Sequence, residues 1–154
     1  MNSQFPDGRI LHLPVDLRDV LVARAEQARP KECCGLVVGD GAPAGWRVTG
    51  ITAGPNRSVD PVTGFAIDVK LHFDLQRKLR PGPSAVIGCY HSHPDGPAFP
   101  SRTDLDAMTE AGFLWLIAGQ DPDRRSGWTL RAYCAAGPGD VLPLTIRLEA
   151  AVSG

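Results

Sequence analysis

Residues 84–104 read Ser84-Ala85-Val86-Ile87-Gly88-Cys89-Tyr90-His91-Ser92-His93-Pro94-Asp95-Gly96-Pro97-Ala98-Phe99-Pro100-Ser101-Arg102-Thr103-Asp104. The segment Ser84 to His91 is largely apolar and of strand length, as expected of a central strand covered on both faces. Side chains alternate along a strand, so His91 and His93 leave it on the same face and can present two imidazole nitrogens to one metal ion. The proline-rich stretch that follows can fold back, so that the first turn of the next helix brings in the carboxylate of Asp104. Two nitrogens and an oxygen suit Zn²⁺ and leave a fourth position for water, which is what separates a catalytic zinc site from a closed structural one. Each part also has a plainer reading. An isolated His-x-His is common polar loop chemistry, and Ser101-Arg102-Thr103-Asp104 matches a capping box that explains a helix start without any catalysis.

Outward from this strand, periodicity predicts a helix between Val15 and Ala28, carrying Leu17, Val20, Leu21 and Ala25 on one face, with Asp16 as cap and Pro30 beyond its end. Cys34 to Gly39 and Trp46 to Ile51 read as a hairpin joined by the turn-rich Asp40 to Gly45. An irregular stretch runs from Thr52 to Gly64. Phe65-Ala66-Ile67-Asp68 reads as a short strand, and Asp68 as the cap of a helix bearing Val69, Leu71, His72, Leu75 and Leu79 that ends at Pro81-Gly82-Pro83. Past the quoted segment come a helix from Ser101 to about Ala111 and strands Phe113 to Ala118, Gly127 to Cys134 and Val141 to Leu148. Hairpins mixed with helical crossovers make an α+β domain, a mixed β-sheet flanked by helices, with α/β the near alternative.

Bulk properties narrow the function classes. A chain of 154 residues fits one domain spanning 1–154, able to bury about 70% of the surface its unfolded form exposes. A formal net charge of −1 removes the electrostatic case for nucleic acid. The longest apolar runs fall well short of the ~20 residues of a membrane helix. The N-terminus lacks a basic cluster followed by an apolar stretch, so the expected compartment is cytoplasmic. Cys33, Cys34, Cys89 and Cys134 have no CxxC spacing, and adjacent Cys33 and Cys34 face opposite ways on a strand, so reduced and mostly buried thiols are expected. Nothing in the sequence specifies an oligomeric state.

His91, His93, Ser101 and Asp104 together resemble the signature of the JAMM (MPN+) metalloproteases: His-x-His, seven residues, then Ser-x-x-Asp. Pro30-Lys31-Glu32-Cys33-Cys34-Gly35-Leu36-Val37-Val38-Gly39 is similar to the bacterial form of the upstream glutamate segment, and Asn56 and Phe65 to Asp68 look like landmarks between the motifs. The resemblance covers roughly Leu17 to Tyr133 and implies a cytidine-deaminase-like mixed sheet. It also implies one zinc per chain on His91, His93 and Asp104. Glu32 is then the base that takes a proton from the attacking water and returns it to the leaving amine. Ser101 becomes the donor to the oxyanion and not a nucleophile.

One departure stands out, because the family commonly has tryptophan two residues before the first histidine and this chain has Cys89. A Cys-His-His-Asp set would close the site. Alternate strand residues lie ~6.6 Å apart, so a small buried hydrophobe beside the metal is the reading preferred for Cys89. His12 and His72 read as structural, and Asp95 and Asp106 as possible acceptors for a ligand imidazole N–H. The only visible elaboration is Asp121 to Gly127, so the chain looks like the short prokaryotic form. The substrate implied is the C-terminal Gly-Gly tail of a ubiquitin-like or sulfur-carrier protein, lying along a strand edge. The alternatives are a non-catalytic scaffold module and a metal-dependent hydrolase of another amide, such as a cell-wall peptide.

Overall fold

Strand β1 (Ile10–Pro14) runs directly into helix α1 (Val15–Ala28) in the computed structural model, which describes residues 9–42, 45–120 and 127–151. There follow β2 (Cys34–Ala42), β3 (Gly45–Gly54), α2 (Val69–Leu79), β4 (Ala85–His93), α3 (Arg102–Ala107), β5 (Leu114–Gln120), β6 (Trp128–Gly137) and β7 (Asp140–Glu149). The sheet is mixed: β1 pairs in parallel with β3 and β7, and β4 with β5, while β2–β3, β2–β4, β5–β6 and β6–β7 are antiparallel. Antiparallel pairing predominates and helices are few, which suits α+β better than α/β.

The sheet is mixed, as expected, with a shorter last helix, and it is closed. It closes in the order β1-β3-β2-β4-β5-β6-β7, because β1, which periodicity missed in so short a segment, bridges β3 and β7. Polar side chains tie this closure: His12 Nδ1 lies 2.9 Å from Glu149 Oε1, and Arg47 pairs with the same carboxylate. The closure is local: β1 meets β3 only at Leu11–Trp46 and His12–Arg47, so the rest of β3 has no strand partner on that side among the described residues. Several expectations need correction. Pro14 and not Asp16 stands at the N-cap of α1, with no side-chain cap, since the chain enters the helix straight from a strand. Phe65 to Asp68 forms no strand, and α3 stops at Ala107. The expected caps Asp68 and Ser101 are found, accepting from the backbone N–H of Lys70 and Asp104. The hairpin strands extend into the predicted turn, of which 43–44 lie outside the described residues, as do 121–126 of the predicted elaboration and 1–8 of the N-terminus.

Alternation along the strands gives the sheet two apolar faces. Val37, Tyr90, Leu114, Leu116, Ala132 and Cys134 join Leu21 and Ala25 of α1 in one core. Leu36, Cys89, Trp115, Ile117, Tyr133 and Ala135 form the other, against Leu71 and Leu75 of α2 and Leu105 of α3. At roughly 1.5–3 kcal/mol for each fully buried large apolar side chain, these faces fix the strand register. A one-residue slip would exchange the two faces, sending each side chain into the core shaped for its neighbours and His91 and His93 away from Asp104. That same register puts His91 and His93 on the second face.

Candidate metal centre and active site

The pairing of β2 with β4 sets Cys34 opposite His91. Just beyond, Ser92 N–H donates to the Cys33 carbonyl at 3.1 Å and Cys33 N–H to Ser92 Oγ at 2.8 Å. Continuing the antiparallel register by one more residue sets Glu32 across from His93, on the histidine face. Its backbone is held from the far side, with Glu32 N–H donating to the Pro61 carbonyl at 2.8 Å and the Glu32 carbonyl accepting from Asn56 Nδ2 at 3.0 Å.

After His93 the chain turns away from the sheet and returns. Gln120 N–H donates to the Gly96 carbonyl at 2.7 Å, and Tyr133 Oη–H to the Ala98 carbonyl at 2.8 Å. Gly119 permits this close approach, since a Cβ there would stand 2.3 Å from Ala98 N. The loop then delivers Ser101 to the capping box of α3: Ser101 Oγ accepts from Asp104 N–H at 3.0 Å and Asp104 Oδ2 from Ser101 N–H at 2.9 Å. The capping box and the carboxylate cluster are therefore the same structure, not competing readings.

Three side-chain atoms converge. His91 Nε2 lies 3.0 Å from His93 Nε2 and 3.0 Å from Asp104 Oδ2, and His93 Nε2 is 3.1 Å from that oxygen. His93 Nδ1 sits 2.9 Å from the Pro97 carbonyl. A carbonyl only accepts, so Nδ1 carries the hydrogen and a neutral His93 turns a bare lone pair inward. The bare nitrogen of a neutral His93, the His91 Nε2 and a buried carboxylate oxygen meeting at this range make a donor set that a cation between them would satisfy. The spacing is close to the edge of about 3.3 Å expected for a tetrahedron of 2.0–2.1 Å bonds. Glu32 stands nearby, its carboxylate oxygen and the ligand nitrogens of His91 and His93 all within 4.8 Å of one another. The donor set fits a divalent metal.

Electrostatics follow from burial. His91 is fully buried, and loss of solvent lowers its pKa despite the Asp104 carboxylate. Burial also opposes charge on His93, but its bonds to Asp104 and to the Pro97 carbonyl outweigh it and the net shift is upward. Against burial, the hydrogen bonds to His91 and His93 hold Asp104 well below the ordinary carboxylate range. Desolvation pushes Glu32 up to about 7, with His93 lowering it and Asp104 raising it. One acid is thus kept ionised and the other left poised to exchange a proton near neutrality.

Two clefts meet at Thr63 and Ser101. One, of about 320 Å³, is bounded by Asp104, Leu36, Phe65, Ile67, Phe113 and Trp115; the other, of about 270 Å³, by Glu32, His93, Val62, Pro94 and Phe99. Cys89 is buried in the second core and lies outside the Glu32-His91-His93 group. Its partner across the parallel ladder is Trp115, whose ring meets His91 edge-on at 5.9 Å. Neither suggested acceptor reaches an imidazole. Asp95 faces Arg29 at 3.8 Å and Asp106 faces Arg102 at 3.7 Å, both at the surface, and a backbone carbonyl serves His93 instead. Pro97, Tyr133, Gly119 and Trp115 were not legible as site residues, because their roles come from loop return and cross-strand pairing. The four cysteines are unpaired, as expected.

Residues 14–131 match the family model described as prokaryotic homologs of the JAB domain. The chain belongs to this family. The JAB domain here is 30% identical over 126 residues to the CysO-cysteine peptidase of Mycobacterium tuberculosis, covering 80% of this chain and 82% of that one. It is 27% identical over 115 residues to the desampylase of Haloferax volcanii, covering 72% and 81%. A solution structure of a protein from Desulfitobacterium hafniense shares the JAB-domain fold, with a TM-score of 0.79 at 23% identity, covering 93% of this chain and 95% of that one. Among the described residues no helix is long and apolar enough to cross a membrane.

Proposed function

We propose that this JAB domain is a zinc-dependent peptidase or isopeptidase that hydrolyses the bond after the C-terminal Gly-Gly of a ubiquitin-like or sulfur-carrier protein. The observation that carries the reading is the convergence of His91, His93 and Asp104 at 3.0–3.1 Å beside a buried Glu32 with a carboxyl raised to about 7. The two peptidase relatives, whose names speak of CysO-cysteine and of desampylation, support the substrate class.

His91, His93 and Asp104 would hold the metal, which when bound lowers the pKa of water toward ~7 and polarises a carbonyl. Glu32 takes the proton of the attacking water on its carboxylate and hands it to the departing amine. The Ser101 hydroxyl oxygen is engaged by Asp104 N–H, which leaves its proton free to donate to the substrate carbonyl oxygen as negative charge develops there. Because Glu32 lines the smaller cleft, the departing amine belongs on that side and the carrier tail on the apolar side. The apolar lining of the larger cleft, Leu36, Phe65, Ile67 and Trp115, would grip the tail.

Metal analysis of purified protein, combined with cleavage of a carrier bearing one residue beyond its Gly-Gly, tests the reading. About one zinc per chain and chelator-sensitive release of that residue are expected. A chain that binds zinc but leaves the extended carrier intact, while hydrolysing a free cell-wall peptide, would replace the substrate class and keep the chemistry.

A further inference from the structure

We propose that Phe65 is a positioning residue of the metal centre, its ring orienting His91 where a hydrogen bond to Nδ1 would ordinarily do so. The two ligand histidines are secured in different ways. His93 has the usual arrangement, with Nδ1–H donating to the Pro97 carbonyl, so tautomer and ring rotation are fixed together. His91 is fully buried, and its Nδ1 has no hydrogen-bond partner among the described residues. The terminal torsion of a histidine is broad, so burial alone leaves the direction of Nε2 loosely set.

Aromatic contacts supply the missing restraint. The Phe65 ring stacks on His91 with centroids 4.1 Å apart and planes 16° from parallel. Trp115 closes the set, meeting His91 edge-on at 5.9 Å and 89°, and Phe65 at 5.7 Å and 75°. Rotating His91 about its last torsion would break the stack and drive the ring edge into Phe65.

Phe65 belongs to no helix or strand, yet its backbone is anchored on both sides by one side chain. Asn56 Nδ2 donates to the Gly64 carbonyl at 2.9 Å, and Ala66 N–H donates to Asn56 Oδ1 at 3.1 Å. The same Nδ2 reaches the Glu32 carbonyl. A single loop therefore aims His91 and seats Glu32, which couples the direction of the ligand to the place of the acid.

This inference rests on the reading of His91 as a metal ligand, so the experiment includes His91→Ala. Zinc affinity by chelator competition and the visible spectrum of the cobalt form are measured for the parent, His91→Ala, Phe65→Leu and Phe65→Tyr, with thermal melts of the metal-free proteins alongside. His91→Ala is expected to lose the metal. Phe65→Leu keeps apolar bulk without a ring and is expected to bind one cobalt with shifted bands and roughly threefold to tenfold weaker affinity, the range of a stacked aromatic pair. Phe65→Tyr retains the stack and is expected within about twofold of the parent. Phe65→Met takes the place of Phe65→Leu should the latter fail to fold. Parent-like affinity and spectrum without the ring, or equal losses in Phe65→Tyr and Phe65→Leu, would overturn the proposal. Undiminished binding by His91→Ala would overturn the ligand reading beneath it.

Discussion

Replacing Glu32 by Gln exchanges a buried carboxyl for an amide of the same shape, and the structure predicts that the metal-free protein becomes more stable while catalysis is lost. Glu32 is only 6% exposed, and its pKa rises from an ordinary 4.5 to about 7, chiefly through desolvation. A folded-state pKa above the unfolded one means that the fold favours the protonated acid. Its contribution is intact below pH 4.5, falls as pH rises through 7 and is constant above. At about 1.4 kcal/mol for each pH unit, the full loss is about 3 kcal/mol. Glutamine escapes this pH-dependent cost. Stability of parent and Glu32→Gln is to be measured by urea denaturation after chelation, from pH 4.5 to 8. The difference between them should grow in favour of the variant by about 2–3 kcal/mol, or roughly 4–12 °C in thermal midpoint for a chain of this size. Zinc should shrink the difference, because a neighbouring cation favours the carboxylate. A gap that stays flat across this pH range would refute the idea that burial of Glu32 sets its proton affinity.

Asp104→Asn removes the charge but keeps an oxygen for the Ser101 N–H, so the helix cap should persist while zinc content by elemental analysis falls from about one to near none. Tyr133→Phe deletes the donor to the Ala98 carbonyl. It should cost about 1–2 kcal/mol in denaturant melts and reduce kcat/KM by loosening the loop behind His93. Gly119→Ala puts a Cβ 2.3 Å from the backbone nitrogen of Ala98. Backbone must move there, and a loss of about 2–3 kcal/mol is expected, together with weaker zinc binding as the Pro97 carbonyl shifts off His93. Asn56→Ala should raise KM and lower kcat together, since it frees both Glu32 and Phe65, whereas Ser58→Ala, which spares those bonds, should leave both near parent values.

Much of this centre can be read from linear spacing. Alternation along 85–93 puts His91 and His93 on one face whatever the rest of the chain does, and a capping box needs only Ser101 and Asp104 three residues apart. These are short-range facts of backbone geometry, so composition and order suffice. Pro30, Asp68 and Pro81-Gly82-Pro83 end or begin helices for equally local reasons. Glu32 is different. In the sequence it is a lone acid after a helix, recognised only through a family resemblance, and it reaches His93 because two strands whose paired residues lie 46 to 57 positions apart come together.

That register is chosen by the burial of two apolar faces at once, a cooperative quantity that no short window contains. The same holds for the closure of the sheet through β1, the return of 96–98 onto β5, and the meeting of Phe65, Trp115 and His91. The sequence by itself determined the identity of the donor atoms and the local geometry that offers them. Tertiary structure alone decided how far apart they stand, which acid is dry enough to hold a proton near neutrality, and what orients each imidazole, because those depend on desolvation and packing by residues remote in the chain.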